Sequence, residues 1–287
     1  MPFKSVADIA AAYDNGRHHY QRVYRNTSIY ANVGLYVDYS MSGGNPKYNA
    51  YVGNQLESTA LIGAGNNGIY KGATPASGMT KHIAKILYGS PSTLQPVQSA
   101  LLCDYLLFYP LIDGDNTDLQ EFINTEPLPR YADGVGVKMA LVQTGGSPVA
   151  GAFATITYTN SAGVAGQTTT IYVLGSASTS GLAHAGTNSA GAVGPHINLA
   201  GGDVGVRSIE SLQFAGGTGA FYALLLFKPL ANIQMLESAT VAEIDYVNQR
   251  LSLPRVYDDA YLSFISMYSA SASSTSAMHA GIDFIWG

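Results

Sequence analysis

A chain of 287 residues can bury a substantial core, as one large β domain or as two of ordinary size. Only 11% of its residues are charged and the formal net charge is −5, so the surface is neutral and polar. It lacks the Lys/Arg excess with which a general nucleic-acid-binding face displaces counterions from phosphates.

At the N-terminus, Ser5-Val6-Ala7-Asp8 can cap a short helix through the Ala-rich segment to Tyr13, which Asn15-Gly16 stops. No apolar leader follows Met1, and no apolar stretch approaches the ~18 residues of a membrane span. A chain that is neither Sec-exported nor membrane-embedded is therefore expected. The one basic cluster follows the helix: Arg17, His18, His19, Arg22 and Arg25. It reads as a solvated or interface-pairing face. With the helix it forms a segment, residues 1–26, expected to act as an arm that orders on contact with a neighbour.

The first β unit is placed at residues 27–127. A strand over Ser28 to Tyr39 meets the turn Ser42-Gly43-Gly44-Asn45-Pro46, and a Gly-rich loop spans Gly63 to Gly78. Within that loop Gly63-Ala64-Gly65-Asn66-Asn67-Gly68 matches a dinucleotide pattern, but Gly72, Pro75 and Gly78 follow where a helix should open, so no cofactor is expected. Lys81-His82-Ile83 starts the next strand. The apolar run Leu101 to Tyr109 holds the single cysteine, Cys103, which excludes an internal disulfide framework, fits a reducing cytoplasm and reads as a buried, inert thiol. Proline is expected to end this strand at Phe108-Tyr109-Pro110-Leu111. Asp113 to Asp118 offers closely spaced oxygen ligands; an EF-hand is excluded, a turn and helix cap is the reading, and a structural calcium is left open. Thr117-Asp118-Leu119-Gln120 predicts a short helix.

The second unit, residues 128–287, repeats the order. Thr144-Gly145-Gly146-Ser147-Pro148, Pro195-His196-Ile197, Leu226-Phe227-Lys228-Pro229-Leu230 and Leu253-Pro254-Arg255 echo Ser42 to Pro46, Lys81 to Ile83, Leu107 to Leu111 and Leu128-Pro129-Arg130. His82 and His196 thereby fall at equivalent positions. Ala152 to Thr159 and Gln167 to Leu174 alternate with period two and read as a hairpin. A Gly/Ser/Ala-rich loop covers Gly175 to Gly194, and Thr240-Val241-Ala242-Glu243 predicts a second short helix. Arg255-Val256-Tyr257 repeats Arg22-Val23-Tyr24, and the remainder, ending in Ile282 to Trp286, reads as strands that complete the sheets. Residues 139–202 contain no Asp, Glu, Lys or Arg, which fits a Ser/Thr-faced sheet or a surface packed against neighbours. Twenty tyrosines favour the latter.

The expected fold is mainly β: duplicated antiparallel β-sandwich, jelly-roll-like units with a short N-terminal helical arm. Two separate sandwiches and one interleaved body are both compatible with the pattern. The six histidines show no zinc spacing, and no nucleophile elbow or phosphate loop occurs. No catalytic residue, cofactor or metal is assigned, and a non-enzymatic role is expected.

Phe3-Lys4-Ser5-Val6, Leu128-Pro129-Arg130-Tyr131 with Asp133-Gly134, Gly202-Asp203-Val204-Gly205-Val206, Leu253-Pro254-Arg255 and Asp283-Phe284-Ile285-Trp286-Gly287 carry a resemblance over most of the chain. In these motifs the sequence resembles a loose group of tailed-bacteriophage virion structural proteins. The resemblance implies a virion protein made in the host cytoplasm, and foremost a capsid decoration or cement protein on the capsid surface. Such proteins are commonly trimers that contact the major capsid protein or other virion subunits. The alternatives are a double jelly-roll major capsid protein and a glycan-binding tail or adhesin module, in which tyrosines and Trp286 stack on sugars.

Overall fold

The computed structural model describes residues 3–27, 36–63, 67–90, 97–146, 149–175, 181–184, 196–249, 252–268 and 276–287. In chain order the elements are α1 (Val6–Asp14), β1 (His18–Thr27), β2 (Tyr36–Asp38), a 3-10 turn (Tyr39–Met41), β3 (Gly43–Asn45), β4 (Thr59–Ala60), β5 (Lys81–Gly89), β6 (Gln98–Asp113), β7 (Gln120–Glu121) and β8 (Lys138–Gly146). They continue with β9 (Ala152–Asn160), β10 (Gln167–Val173), β11 (Leu182–His184), β12 (Val206–Phe214), β13 (Ala220–Gln234), β14 (Val241–Asp245), β15 (Arg255–Val256), β16 (Tyr261–Tyr268) and β17 (Ser276–Trp286). The chain is mainly β, with antiparallel sheets and one N-terminal helix, as expected. Among the described residues no helix is long and apolar enough to cross a membrane.

Helix α1 forms where its cap predicts. Ser5 Oγ accepts from the Asp8 backbone N–H at 3.2 Å, and the Asp8 carboxylate accepts in return from the Ser5 N–H at 2.9 Å. Gly16 takes the left-handed conformation that ends the helix, at φ +66°.

Six strands close into a ring in the order β13, β8, β11, β2, β16, β6 and back to β13. Cys103, Tyr105, Val142, Leu225, Phe227 and Ile265 fill its interior. One outer sheet, β14-β5-β17-β1-β3 with β15 also on β5, packs a second core against Leu102, Ile233 and Phe264 on the outside of the barrel. The other, β10-β9-β12-β7, packs a third against Leu107, Leu141 and Leu224. Strand β6 contributes to all three cores, which is why it is apolar on both faces and why Cys103 is fully buried. Burial drives the Cys103 thiol well above its ordinary value.

The pairings are those of the interleaved arrangement. Strands β8 to β14 correspond in order to β16, β17, β1, β2, β5, β6 and β7. Thus β9 lies between β10 and β12 as β17 lies between β1 and β5, and β13 joins β8 and β6 as β6 joins β16 and β13. After β6 the chain crosses to place β7 on β12; after β13 it crosses to place β14 on β5. Leu107 and Leu226 stand directly opposite each other where the two long strands pair. One set of strands therefore runs through the chain termini.

Several expectations are corrected. The echoes at Leu107 and Leu128 lie on corresponding elements, but the counterpart of β5 is β12. His82, second residue of β5, therefore corresponds to Arg207 and not to His196, which sits in irregular chain. Gly43 to Asn45 pair with β1, whereas Gly145-Gly146 end β8. The two predicted helices are strands β7 and β14. Five residues cannot nucleate a helix alone, and β5 offers Val241 to Asp245 a ladder. Pro110 and Pro229 do not end their strands, because each sits at a register shift that spares the missing donor. Leu111 completes the first bulge at φ +58°. The loop 175–194 contains β11. Of the expected strand 28–39, residues 36–38 are β2 and 28–35 lie outside the described residues.

Candidate functional site

Strand β1 carries four of the five residues of the basic cluster, with Arg17 just before it, and pairs with β17 along all ten of its residues. The segment expected to behave as an arm is thus a helix followed by a fully paired sheet strand. Period-two alternation divides the cluster between the two faces. His18 and Arg22 point outward with Tyr20 (45% exposed) and Tyr24 (41% exposed). His19 is half-buried against the Tyr70 ring, with centroids 4.9 Å apart, and Arg17 is half-buried. Arg25, on the inward parity of Val23, is 1% exposed, and its Nη1 donates to the Ser42 carbonyl at 2.8 Å. Burial pulls its guanidinium below the ordinary value, against Tyr261, Asp38 and Tyr105. Arg25 is therefore a core residue and cannot take part in an interface. His279 of β17, which no sequence motif singles out, joins the outward group, its ring 4.9 Å from Tyr24. Tyr20 lies over Gly281, where a Cβ would collide with its hydroxyl.

The sheet of β9 and β10 presents a different surface. Thr155, Thr157 and Thr159 alternate outward on β9, and Thr168 and Thr170 face them on β10. Thr155 and Thr170 approach Oγ1 to Oγ1 at 3.4 Å. Phe153 (44% exposed) and Tyr172 close one end of this ladder, with ring centroids 5.0 Å apart. Charge enters on the neighbouring strands: on β12, where Glu210 accepts from the Thr159 hydroxyl at 2.8 Å and Arg207 is exposed, and on β7 with the exposed Glu121. The charge-free stretch of sequence includes this threonine-faced hairpin, along with β11 and all of β8 after Lys138.

Polar groups in the interior are committed to the fold. Asp38, fully buried in the barrel, accepts from Tyr105 at 2.6 Å, Tyr51 at 2.5 Å, and the Ser40 hydroxyl and N–H at 2.8 Å each. Burial pushes its carboxyl up while those four donors pull it back. Asp104 receives Arg130 through both oxygens, at 2.9 and 2.7 Å, and burial still pushes it up to about 6. Arg130 also donates to the carbonyls of Leu61 and Tyr105 and reaches Asp259 at 3.3 Å. Asp258 pairs with Lys81, whose Nζ lies 5.3 Å from the Trp286 ring. Trp286 is buried, so the expectation that it stacks on a sugar is corrected.

The remaining motifs are structural. Asp113 and Asn116 close their own turn by accepting from Asp115 and Asp118 N–H groups at 2.9 Å, and Asp115 accepts from Gly219 at 2.7 Å. Asp203 accepts from Tyr158 and Asn160. Among the described residues no three His, Cys, Asp or Glu side chains are grouped to hold a metal ion. Residues 64–66 of the Gly-rich motif lie outside the described residues, and irregular chain follows it.

No protein-family model and no curated protein matches the chain. Among solved structures it is similar to T=1 particles derived from infectious bursal virus, at 8% identity over 93% of this chain and 77% of that one, with a TM-score of 0.20. It is also similar to the structure of infectious bursal disease virus Gt strain, at 9% identity over 94% and 81% of the chains, with a TM-score of 0.18. Superpositions this loose carry no argument about ancestry or role.

Proposed function

We propose that this chain is a non-enzymatic structural protein of a virion, and specifically a capsid decoration or cement protein that bridges capsomers. The observation that carries the reading is the threonine-faced hairpin β9–β10, a neutral, regular surface on a body whose three cores share one long strand. Such a surface can pack closely against a neutral neighbour without desolvating charge. The sequence resemblance to tailed-phage virion proteins supplies the context. The outward face of β1, with His18 and Arg22, is a second contact candidate, and a homotrimer on the capsid surface is the expected assembly. Binding only the assembled lattice would stabilise the shell by linkage.

The test is occupancy on mature capsids that lack this protein, with solution mass measured in parallel by light scattering. The chain should exist as a discrete oligomer and bind capsids, and Thr155→Lys with Thr168→Lys should abolish binding while leaving the melting temperature unchanged. Unaltered occupancy of the double variant would overturn the threonine face as the contact. A wild-type chain that ignores capsids would overturn the decoration role. The doubled strand plan keeps a major capsid protein as the second reading, for which spontaneous shell-sized assemblies would be the sign. The glycan-binding alternative gains little, because Tyr20 and Tyr24 lie on one outer sheet and Phe153 and Tyr172 on the other.

A further inference from the structure

Two cavities occupy corresponding places in the two sets of strands, and one of them has a roof. The first, about 440 Å³, lies beside His82 of β5, Tyr246 and Leu253, and the start of α1 walls it with Phe3, Val6 and Ile9. Phe3 meets the His82 ring edge-on, centroids 5.9 Å apart. The second, about 350 Å³, lies beside Arg207 of β12, Asn124, Pro127 and Leu128. His82 and Arg207 are the second residues of corresponding strands, and Leu253 and Leu128 begin the same Leu-Pro-Arg triplet.

The difference between the two lies in chain connectivity. The first set passes from β17 to β1 through the termini, which leaves room for α1. The second passes from β9 to β10 through a six-residue turn, 161–166, too short for a helix. Arg207, anchored by its Nε on the Asp133 carbonyl at 3.2 Å, keeps its guanidinium exposed.

We propose that the second cavity is a docking site for a short helix supplied by another chain and led by an aromatic residue that stacks on Arg207 as Phe3 meets His82. The occupant's chemistry follows from the helix that already covers the corresponding place, with a guanidinium in place of an imidazole to favour a π face. A second copy of this chain is not that occupant. Its own α1 is held by Phe3 and by the Tyr13 hydroxyl, which donates to Asp283 at 2.5 Å. A helix of this size buries too little surface to bind tightly alone, so the site adds one contact to a larger assembly.

The probe is a peptide of residues 1–16 titrated into the isotope-labelled full chain, read by amide chemical shifts. Saturable shifts should appear at Asn124 to Leu128, Ala132 and Arg207, and a peptide with Phe3→Ala should not produce them. Arg207→Glu should weaken binding roughly threefold to fivefold or more, the scale of a lost cation–π contact, without altering the fold of an exposed position. Silence at those residues at millimolar peptide would overturn the proposal. So would shifts confined to His82, Tyr246 and Leu253, which would mean that the peptide merely displaces the resident helix. Neither outcome depends on whether the chain binds capsids.

Discussion

The two outer sheets share a pairing scheme and differ in almost everything they show to solvent. The sheet built around β5 and β17 carries α1, the outward aromatics and His18 of β1, His279 of β17, and Lys85 bridging Glu243 at 3.3 Å and Asp245 at 3.2 Å. Its counterpart around β9 and β12 carries threonines. Both sheets bury one face on the same barrel, so inward positions are set by packing, whereas outward positions are free to take whatever chemistry the surroundings demand. The contrast confines the requirements of the fold to the inward residues and leaves the outward ones unconstrained by packing.

The largest effect is expected from removing a strand of one outer sheet. Deleting residues 1–26 takes away all of β1 but Thr27, with Val23 and Arg25 in or beside the core, and strips nine paired positions from β17. The truncated chain should fail to fold, seen as loss of the cooperative thermal transition. Deleting only residues 1–16 removes α1, of which Ala12 alone is buried, and should leave that transition within a few degrees of the intact chain. Equal melting of both truncations would show that β1 is a detachable arm after all.

A smaller effect separates the two copies of one repeated triplet. Arg130 closes Leu128-Pro129-Arg130 and is buried on Asp104, whereas Arg255 closes Leu253-Pro254-Arg255 and stacks outside on Tyr257, 4.5 Å from the ring centroid. Arg130→Ala leaves a buried carboxylate without its cation and should cost about 3–5 kcal/mol in urea unfolding. Arg255→Ala should cost less than about 1 kcal/mol. Similar losses for both would mean that the two triplets are equivalent in more than sequence.

The same residues explain what the sequence made legible. Local signals worked: Ser5 and Asp8 cap α1, period two located β9 and β10, and the apolar run around Cys103 marked a strand buried on both faces. Signals that depend on distant partners did not. Val241 to Asp245 is a strand because β5 lies beside it, and nothing within those residues shows that. Pro110 and Pro229 pass through paired strands because their partners shift register. The interleaving was out of reach because each crossover strand joins the sheet of the other set. In the basic cluster, however, a local signal does exist. Arg25 shares the parity of apolar Val23, which already turns it inward.

A pH dependence is expected where two short strands meet in the barrel wall. Strand β2 brings Asp38 and β11 brings His184. His184 is fully buried, its ring 5.8 Å from that of Tyr222, and burial lowers its pKa from 6.5 to about 4. Between those values the unfolded chain holds a proton that the folded chain refuses, so stability falls as pH drops from about 6.5 through about 4. The full effect is about 3 kcal/mol, since each tenfold change in proton affinity is worth about 1.4 kcal/mol. Asp104 acts in the opposite sense. Its pKa is raised from 3.8 to about 6, so the folded chain binds the extra proton and gains stability as pH falls through about 6. In the wild type these two effects oppose each other and flatten the acid limb. His184→Leu should unmask the contribution of Asp104, so the variant's unfolding free energy should gain about 3 kcal/mol on the wild type between pH 7 and 4. Parallel pH curves would mean that the folded chain binds the His184 proton as readily as the unfolded chain does, and would overturn its exclusion by burial.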